Sequence, residues 1–234
     1  MNLIFIHGSG CSKNVWDQQL SFFDGSIALD LPGRPSVEPL ASGEPLESAT
    51  ELAQWLIDYI TDHALENVVL VGHSLGAAVV MQSALLNDRN IKGIVLIGSG
   101  ARLKVIPQLI TSLSALVDQS ASIPDSFLQA NQNIPDPFKT NINEAIKKNG
   151  ARIMLNDFKV CDKFDVMDQL VSLHLPVKII VGEKDNMTPV KYASFLHERI
   201  DQSELTVIEG GTHMVFAEQA TLVNEQIEAF IATL

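Results

Sequence analysis

Six short apolar runs punctuate the chain, at Leu3–His7, Ser26–Asp30, Asn67–Gly72, Gly93–Gly98, Val177–Gly182 and Glu204–Glu209. Each is rich in β-branched residues, ends in glycine or a turn, and is apolar throughout instead of alternating with polar positions. That pattern belongs to strands covered on both faces, as in a parallel sheet between helical layers. The intervening stretches carry helical periodicity. In Leu46–Ala64, residues Ala49, Leu52, Ala53, Leu56, Ile57 and Ile60 share one stripe, with Glu47, Glu51, Asp58 and Asp62 off it. Ala77–Leu86, Val190–Arg199 and Leu222–Leu234 read as helices too. The alternation predicts an α/β domain with a doubly wound, mostly parallel sheet of about six strands.

The rhythm stops between residues 101 and 170. Helix-compatible segments follow one another there, at Val105–Asp118, Ser126–Asn131, Asn143–Asp157 and Phe164–Leu173, with a loop at Asn131–Pro137. The expected organisation is a core of residues 1–100 and 171–234, with a helical cap of residues 101–170 inserted after the fourth strand and lying over the strand ends. A chain of 234 residues can bury one sizeable core and a cap of that size.

Composition narrows the partners. With 46% hydrophobic and 19% charged positions, the chain is too apolar to be disordered. A formal charge of −12, from 16 basic and 28 acidic residues, opposes binding to a nucleic-acid backbone or an anionic membrane. No apolar run reaches the length of a membrane span, and Met1–Gly8 lacks the basic stretch and apolar length of a signal peptide, so a cytoplasmic protein is expected. Cys11 and Cys161 lie far apart without metal-ligand spacing; neither a disulfide scaffold nor a metal site is expected.

The segment that carries chemistry is Val68-Val69-Leu70-Val71-Gly72-His73-Ser74-Leu75-Gly76-Ala77-Ala78. A β-branched strand runs into Gly-x-Ser-x-Gly and then into a small-residue helix, the pattern of a nucleophile elbow. The pentapeptide alone recurs by chance; its setting gives it meaning. The tight turn presents Ser74 at the carboxyl end of the sheet beside a helix N-terminus, which suits a nucleophile developing negative charge.

A serine hydroxyl needs a base, and the base an orienting carboxylate. Asp185 follows the strand at Val177–Gly182, and His213 follows the strand at Glu204–Glu209, so both loops emerge at the same sheet edge as Ser74. Glu183 is a rival acid that lies closer to its strand and faces solvent. Among the other histidines, His63, His174 and His197 have charged neighbours and read as solvated. His73 is expected to point away from the elbow and to serve in packing or in bonding to the backbone. The tetrahedral oxyanion needs two backbone N–H donors. Leu75, directly after the serine, is one; the loop Gly8-Ser9-Gly10 should supply the other, most simply from Ser9, with Gly10 the second choice and the Ser9 hydroxyl a further donor.

Taken together, His7-Gly8-Ser9-Gly10, Asp30-Leu31-Pro32-Gly33-Arg34, Gly72-His73-Ser74-Leu75-Gly76, Gly182-Glu183-Lys184-Asp185 and Gly211-Thr212-His213 make the sequence resemble an α/β-hydrolase of the compact esterase, lactonase and C–C hydrolase kind, over essentially its whole length. The resemblance implies serine hydrolase chemistry without a cofactor, and a helical cap after the sixth strand of the family's usual sheet. Two departures stand out. The chain starts almost on what is usually the third strand, so the sheet should lack the customary antiparallel pair and expose Ser26–Asp30 as an edge. Arg34 stands where similar proteins usually carry histidine, and no catalytic role is attached to it.

The expected partner is a small-molecule acyl substrate, a small to medium uncharged ester, lactone or thioester. Its pocket should lie between elbow and cap, beside Gly8 and Gly10. The expected lining is Leu109, Leu113, Leu116, Phe127, Met154, Phe158, Phe164 and Met167 from the cap, with Met214 and Phe216 beside the histidine. Cys11 and Cys161 read as structural thiols. The same triad also supports C–C bond hydrolysis, a lyase step or perhydrolysis, and a slow-turnover ligand-sensing module is the non-enzymatic alternative.

Overall fold

The computed structural model describes residues 1–37, 45–86 and 88–234. Among the described residues six strands form one sheet: β1 (Asn2–Ile6), β2 (Ile27–Leu29), β3 (Val68–His73), β4 (Ile91–Ile97), β5 (Val177–Gly182) and β6 (Ser203–Ile208). Their order is β2-β1-β3-β4-β5-β6, and every pair is parallel. Ile6 stands opposite both Leu29 and Gly72, His73 opposite Ile97, and Gly182 opposite Ile208. The strands therefore finish near one level, and the loops that follow them are neighbours along one edge.

The strands β3 and β5 are buried at every position. Of the two edge strands, β2 is half-buried throughout, in keeping with the exposed edge expected at Ser26–Asp30, whereas β6 departs from the expectation of burial on both faces, with Glu204 and Val207 reaching solvent. An edge strand has a neighbour on one side only, and its flanking helices cover it incompletely.

Helices α1 (Asp17–Phe22), α2 (Ala49–Asp62), α3 (Leu75–Leu85), α4 (Pro107–Asp118), α5 (Phe138–Lys163), α6 (Val190–Arg199), α7 (Val215–Glu218) and α8 (Ala220–Ile231) flank the sheet. One face carries α2, α3 and α6, with Leu52, Leu56 and Ile60 of α2 buried on Ile4, Ile6 and Leu70. Full burial of such side chains stabilises the fold by about 1.5–3 kcal/mol each. The other face carries α7 and α8 together with Trp16, whose ring centroid lies 4.2 Å from that of Phe216. None of the described helices is long and apolar enough to cross a membrane.

The chain between β4 and β5 is helical: α4, a 3₁₀ turn at Asp125–Asn131, α5 and a second 3₁₀ turn at Met167–Ser172. The helix expected at Asn143–Asp157 is longer, and α5 is broken at Gly150, which has φ 79° and ψ 176°. Of the helix expected at Phe164–Leu173, Met167–Ser172 is helical, as the 3₁₀ turn, and its first three residues are not helical. Leu103 N–H donates to Phe164 O at 3.4 Å and Val166 N–H to Ala101 O at 2.8 Å, with an antiparallel bridge between Arg102 and Asp165. The two ends of the insertion thus pair with each other, and Val166 N–H is taken there.

α3 lies so close to the sheet that a Cβ on residue 76 would stand 2.1 Å from Ile6 O and 2.7 Å from His7 O, backbone atoms that cannot yield independently. Gly25, by contrast, has open space and only a φ of 73°. Gly76→Ala should therefore cost about 3 kcal/mol or more in urea unfolding, and Gly25→Ala about 1 kcal/mol.

Candidate active site

Ser74 stands between the end of β3 and the start of α3 at φ 53°, ψ −114°. A non-glycine residue at such a φ costs energy that the surroundings must hold. Ser74 N–H donates to Ile97 O at 3.0 Å, which pins the turn to β4. Leu75 opens α3, where the first N–H groups have no intrahelical acceptor.

Asp185 and His213 meet at the same edge, with Asp185 Oδ2 2.9 Å from His213 Nδ1. The carboxylate is buried and well held: Oδ1 accepts from Met187 N–H at 2.9 Å and Thr188 N–H at 2.8 Å, and Oδ2 accepts from the Thr188 hydroxyl at 2.8 Å. Burial works against its charge, but the His213 bond and charge and the Thr188 donors outweigh it and hold the carboxyl below its usual range. The Asp185 bond assigns the proton to His213 Nδ1 and leaves Nε2 as the basic nitrogen. Glu183 is exposed and accepts from Gly210 N–H at 3.0 Å.

The two loops touch directly. A Cβ on residue 182 would lie 2.4 Å from both Gly211 O and Thr212 O, so only glycine lets the strand carrying the acid reach the turn carrying the histidine. From the far side, Thr212 N–H donates to Glu218 at 2.8 Å and the Thr212 hydroxyl bonds the same carboxylate. Buried Gln19 bridges Phe216 O and Asn224 Oδ1, each at 2.9 Å.

His73 departs from the expectation that it points away. Its ring lines the cavity, lies 4.7 Å from the His213 ring, and Nε2 meets His213 O at 3.0 Å. Burial, with the His213 charge beside it, pushes His73 down to about 3, so it is a neutral strut between the elbow and the histidine loop. His7 is equally buried; its Nε2 accepts from Leu31 N–H at 3.1 Å, and burial and the charge of Arg34 hold it neutral.

In the loop after β1, Ser9 lines the cavity, and its N–H has no acceptor among the described residues. Gly10 does not line the cavity as expected: its N–H donates to Asp157 Oδ2 at 2.8 Å. The Ser9 hydroxyl also faces elsewhere, 3.4 Å from Cys161 Sγ.

A cavity of about 340 Å³ lies over Ser74 and His213. Of the expected lining, Gly8, Leu109, Phe127, Met154, Phe158 and Met214 reach it. Leu113, Leu116 and Phe216 pack instead in the core on the α8 side of the sheet. Phe164 is buried with α2 and α3, and Met167 packs beside it. Asp185 stands behind His213. Residues not expected in the lining are Cys11, Ser126, Ala130, Asn131, Ile146 and Met187. Burial pushes the Cys11 and Cys161 thiols up to about 12, which leaves both unreactive. Among the described residues no His, Cys, Asp or Glu group is placed to hold a metal ion.

An all-parallel sheet with an elbow serine and a His–Asp pair on the loops of its carboxyl edge defines a class, and the comparisons agree with it. Residues 3–226 match the model of the alpha/beta hydrolase family, and the chain belongs to that family. It is an enzyme of the alpha/beta hydrolase fold. A pimeloyl-[acyl-carrier protein] methyl ester esterase of Pseudoalteromonas atlantica is 24% identical over 92% of this chain and 88% of its own. Among solved structures, a lipase-esterase related protein from Clostridium acetobutylicum is 26% identical with TM-score 0.84, over 98% of this chain and 93% of its own. A thermophilic esterase is 29% identical with TM-score 0.83, over 99% and 89%.

The depressed Asp185 carboxyl has a consequence for stability. A group whose folded pKa lies below its unfolded value, about 3.9 for aspartate, stabilises the fold above that pH and loses the contribution as the pH falls through the folded pKa. Asp185→Asn should therefore melt below the parent at pH 7, and the gap should close as the pH drops below about 4, as read by thermal scans across pH.

Proposed function

We propose that the protein is a serine hydrolase that cleaves a small to medium, uncharged carboxylic ester, thioester or lactone through an acyl-enzyme. The observation that carries this reading is the buried Asp185–His213 bond of 2.9 Å with His213 and Ser74 lining one cavity. His213 Nε2 takes the proton of the Ser74 hydroxyl as Ser74 Oγ bonds to the carbonyl carbon, and Asp185 supports the imidazolium. The N–H groups of Ser9 and Leu75 receive the oxyanion. Collapse breaks the carbonyl carbon's bond to the leaving alkoxide or thiolate, which takes the proton from His213. Water then adds by the same route in reverse and frees Ser74.

The lining supports an uncharged substrate. No Arg or Lys faces the cavity among the described residues, so a carboxylate or phosphate on the substrate would be buried without a cation. About 340 Å³ suits a ligand at the small end of the usual range. The Pseudoalteromonas relative is named for a pimeloyl-[acyl-carrier protein] methyl ester; methyl and p-nitrophenyl esters of short linear acids are the probes that fit this cavity. Ser74→Ala should lower kcat on p-nitrophenyl butyrate by about 10⁴-fold or more, and equal rates in parent and variant would refute the reading. Across p-nitrophenyl esters, kcat/KM should fall more than about tenfold from butyrate to laurate, since the longer chain exceeds the cavity volume.

A further inference from the structure

Beyond Ile6 the loop that carries Ser9 leaves the sheet, and α5 holds it. Asp157 Oδ2 accepts the Gly10 N–H at 2.8 Å. Asn149 Nδ2 reaches Gly10 O at 2.9 Å, Cys11 O at 3.1 Å and Ser12 Oγ at 2.9 Å. Met154 Cε stands 2.7 Å from where a Cβ on residue 10 would be. Cys161 Sγ lies against the Ser9 hydroxyl. Met154, Asp157 and Cys161 recur at the three- and four-residue spacing of one helix face, and that face is laid along the loop.

Asp157 is itself gripped. Arg34 meets it through both carboxylate oxygens, Nη1 to Oδ1 at 3.2 Å and Nη2 to Oδ2 at 2.5 Å, and Arg34 Nε also donates to Cys11 O at 3.2 Å. The side chains are only 2% and 4% exposed. A buried ion pair is a poor source of net stability, and apolar residues of like volume commonly replace one without loss. What leucines cannot do is accept a backbone N–H. Asp157 Oδ2 is shared between Arg34 and Gly10, so the pair orients the loop as well as filling space.

We propose that Asp157, oriented by Arg34, is a positioning residue for the oxyanion loop: it takes up the Gly10 N–H and so leaves the Ser9 N–H as the loop's donor to the cavity. The inference rests on the acyl-transfer reading only for the role of Ser9. It gives Arg34 a purpose its place in the motif does not suggest, and it makes the latter half of α5 part of the site's frame.

Two double variants isolate the Gly10 bond, because both remove the buried charges. Arg34→Gln/Asp157→Asn keeps an acceptor for Gly10; Arg34→Met/Asp157→Leu has none. On p-nitrophenyl butyrate the first should keep kcat within about fivefold of the parent. The second should lose about 30- to 100-fold in kcat with KM within about threefold, as small misplacements of transition-state groups do. Amide hydrogen exchange of the parent and variants without substrate gives an independent readout. In the parent, Gly10 should exchange at least about tenfold more slowly than Ser9, and that protection should vanish in the Arg34→Met/Asp157→Leu protein while β3 stays protected. Equal kcat in the two double variants, or a parent Gly10 amide as fast as Ser9, overturns the proposal. If the parent shows no Ser74-dependent turnover, the hydrolase reading falls, and the exchange of Gly10 alone decides whether Asp157 orders the loop. If the apolar pair does not fold, the parent exchange and the neutral pair still decide.

Discussion

The backbone of Ser74 occupies a conformation that costs on the order of 1–3 kcal/mol for a residue with a side chain, and the rest of the site is arranged around holding it there. Before the serine, β3 is paired with β1 and β4 and buried at every position. After it, α3 is pressed against the end of β1. Neither flank can relax without breaking sheet hydrogen bonds or opening the core. The strain fixes where the hydroxyl stands, at the level where β4, β5 and β6 also finish. The loops of Asp185 and His213 begin at that level, so neither needs a long excursion to reach the elbow.

Much of this was legible from local pattern. Strands buried on both faces write nearly unbroken apolar runs, and Val177–Gly182, interrupted only by Lys178, forms a strand with the ends that run predicts. The elbow is a contiguous motif, and Asp185 and His213 each follow a strand directly. The edges were less legible, because composition does not tell an edge strand from a central one: β6 is as β-branched as its neighbours yet half exposed. Cap periodicity marks a buried stripe without saying what it is buried against. Leu109 and Leu113 lie one turn apart on α4, yet Leu109 reaches the cavity and Leu113 is sealed in the core. Arg34 and Asp157 lay beyond any local reading, since a bidentate pair separated by 123 positions leaves no trace in spacing.

The insertion between β4 and β5 is attached unevenly. After the break at Gly150, α5 is bound to the body by the Arg34–Asp157 pair, by Asn156 donating to Leu46 O at 2.9 Å, and by burial of Val160 and Cys161 with α2 and α3. Around the cavity's other rim, Leu109, Phe127 and Met187 are only partly buried, and Met187 is 48% exposed. In the proposed reaction this puts the rigid frame beside the loop of Ser9 and the softer, partly exposed walls on the other rim, an arrangement that suits transition-state stabilisation by donors already in place.

Charge acts at two ranges here. The excess of acidic residues repels anions at a distance, but at physiological salt that field decays over about 8 Å and affects encounter more than fit. Under the proposed function, selection then falls to the lining, which holds no Arg or Lys among the described residues, while the buried charges of Arg34 and Asp185 are committed to Asp157 and His213. On the proposed reading, an anionic substrate is disfavoured on approach and meets no Arg or Lys in the lining among the described residues. In the proposed acyl transfer, a neutral acyl group meets neither penalty, and the charge that forms on its carbonyl oxygen would lie beside Ser9 and the start of α3, where N–H groups and the helix dipole favour it.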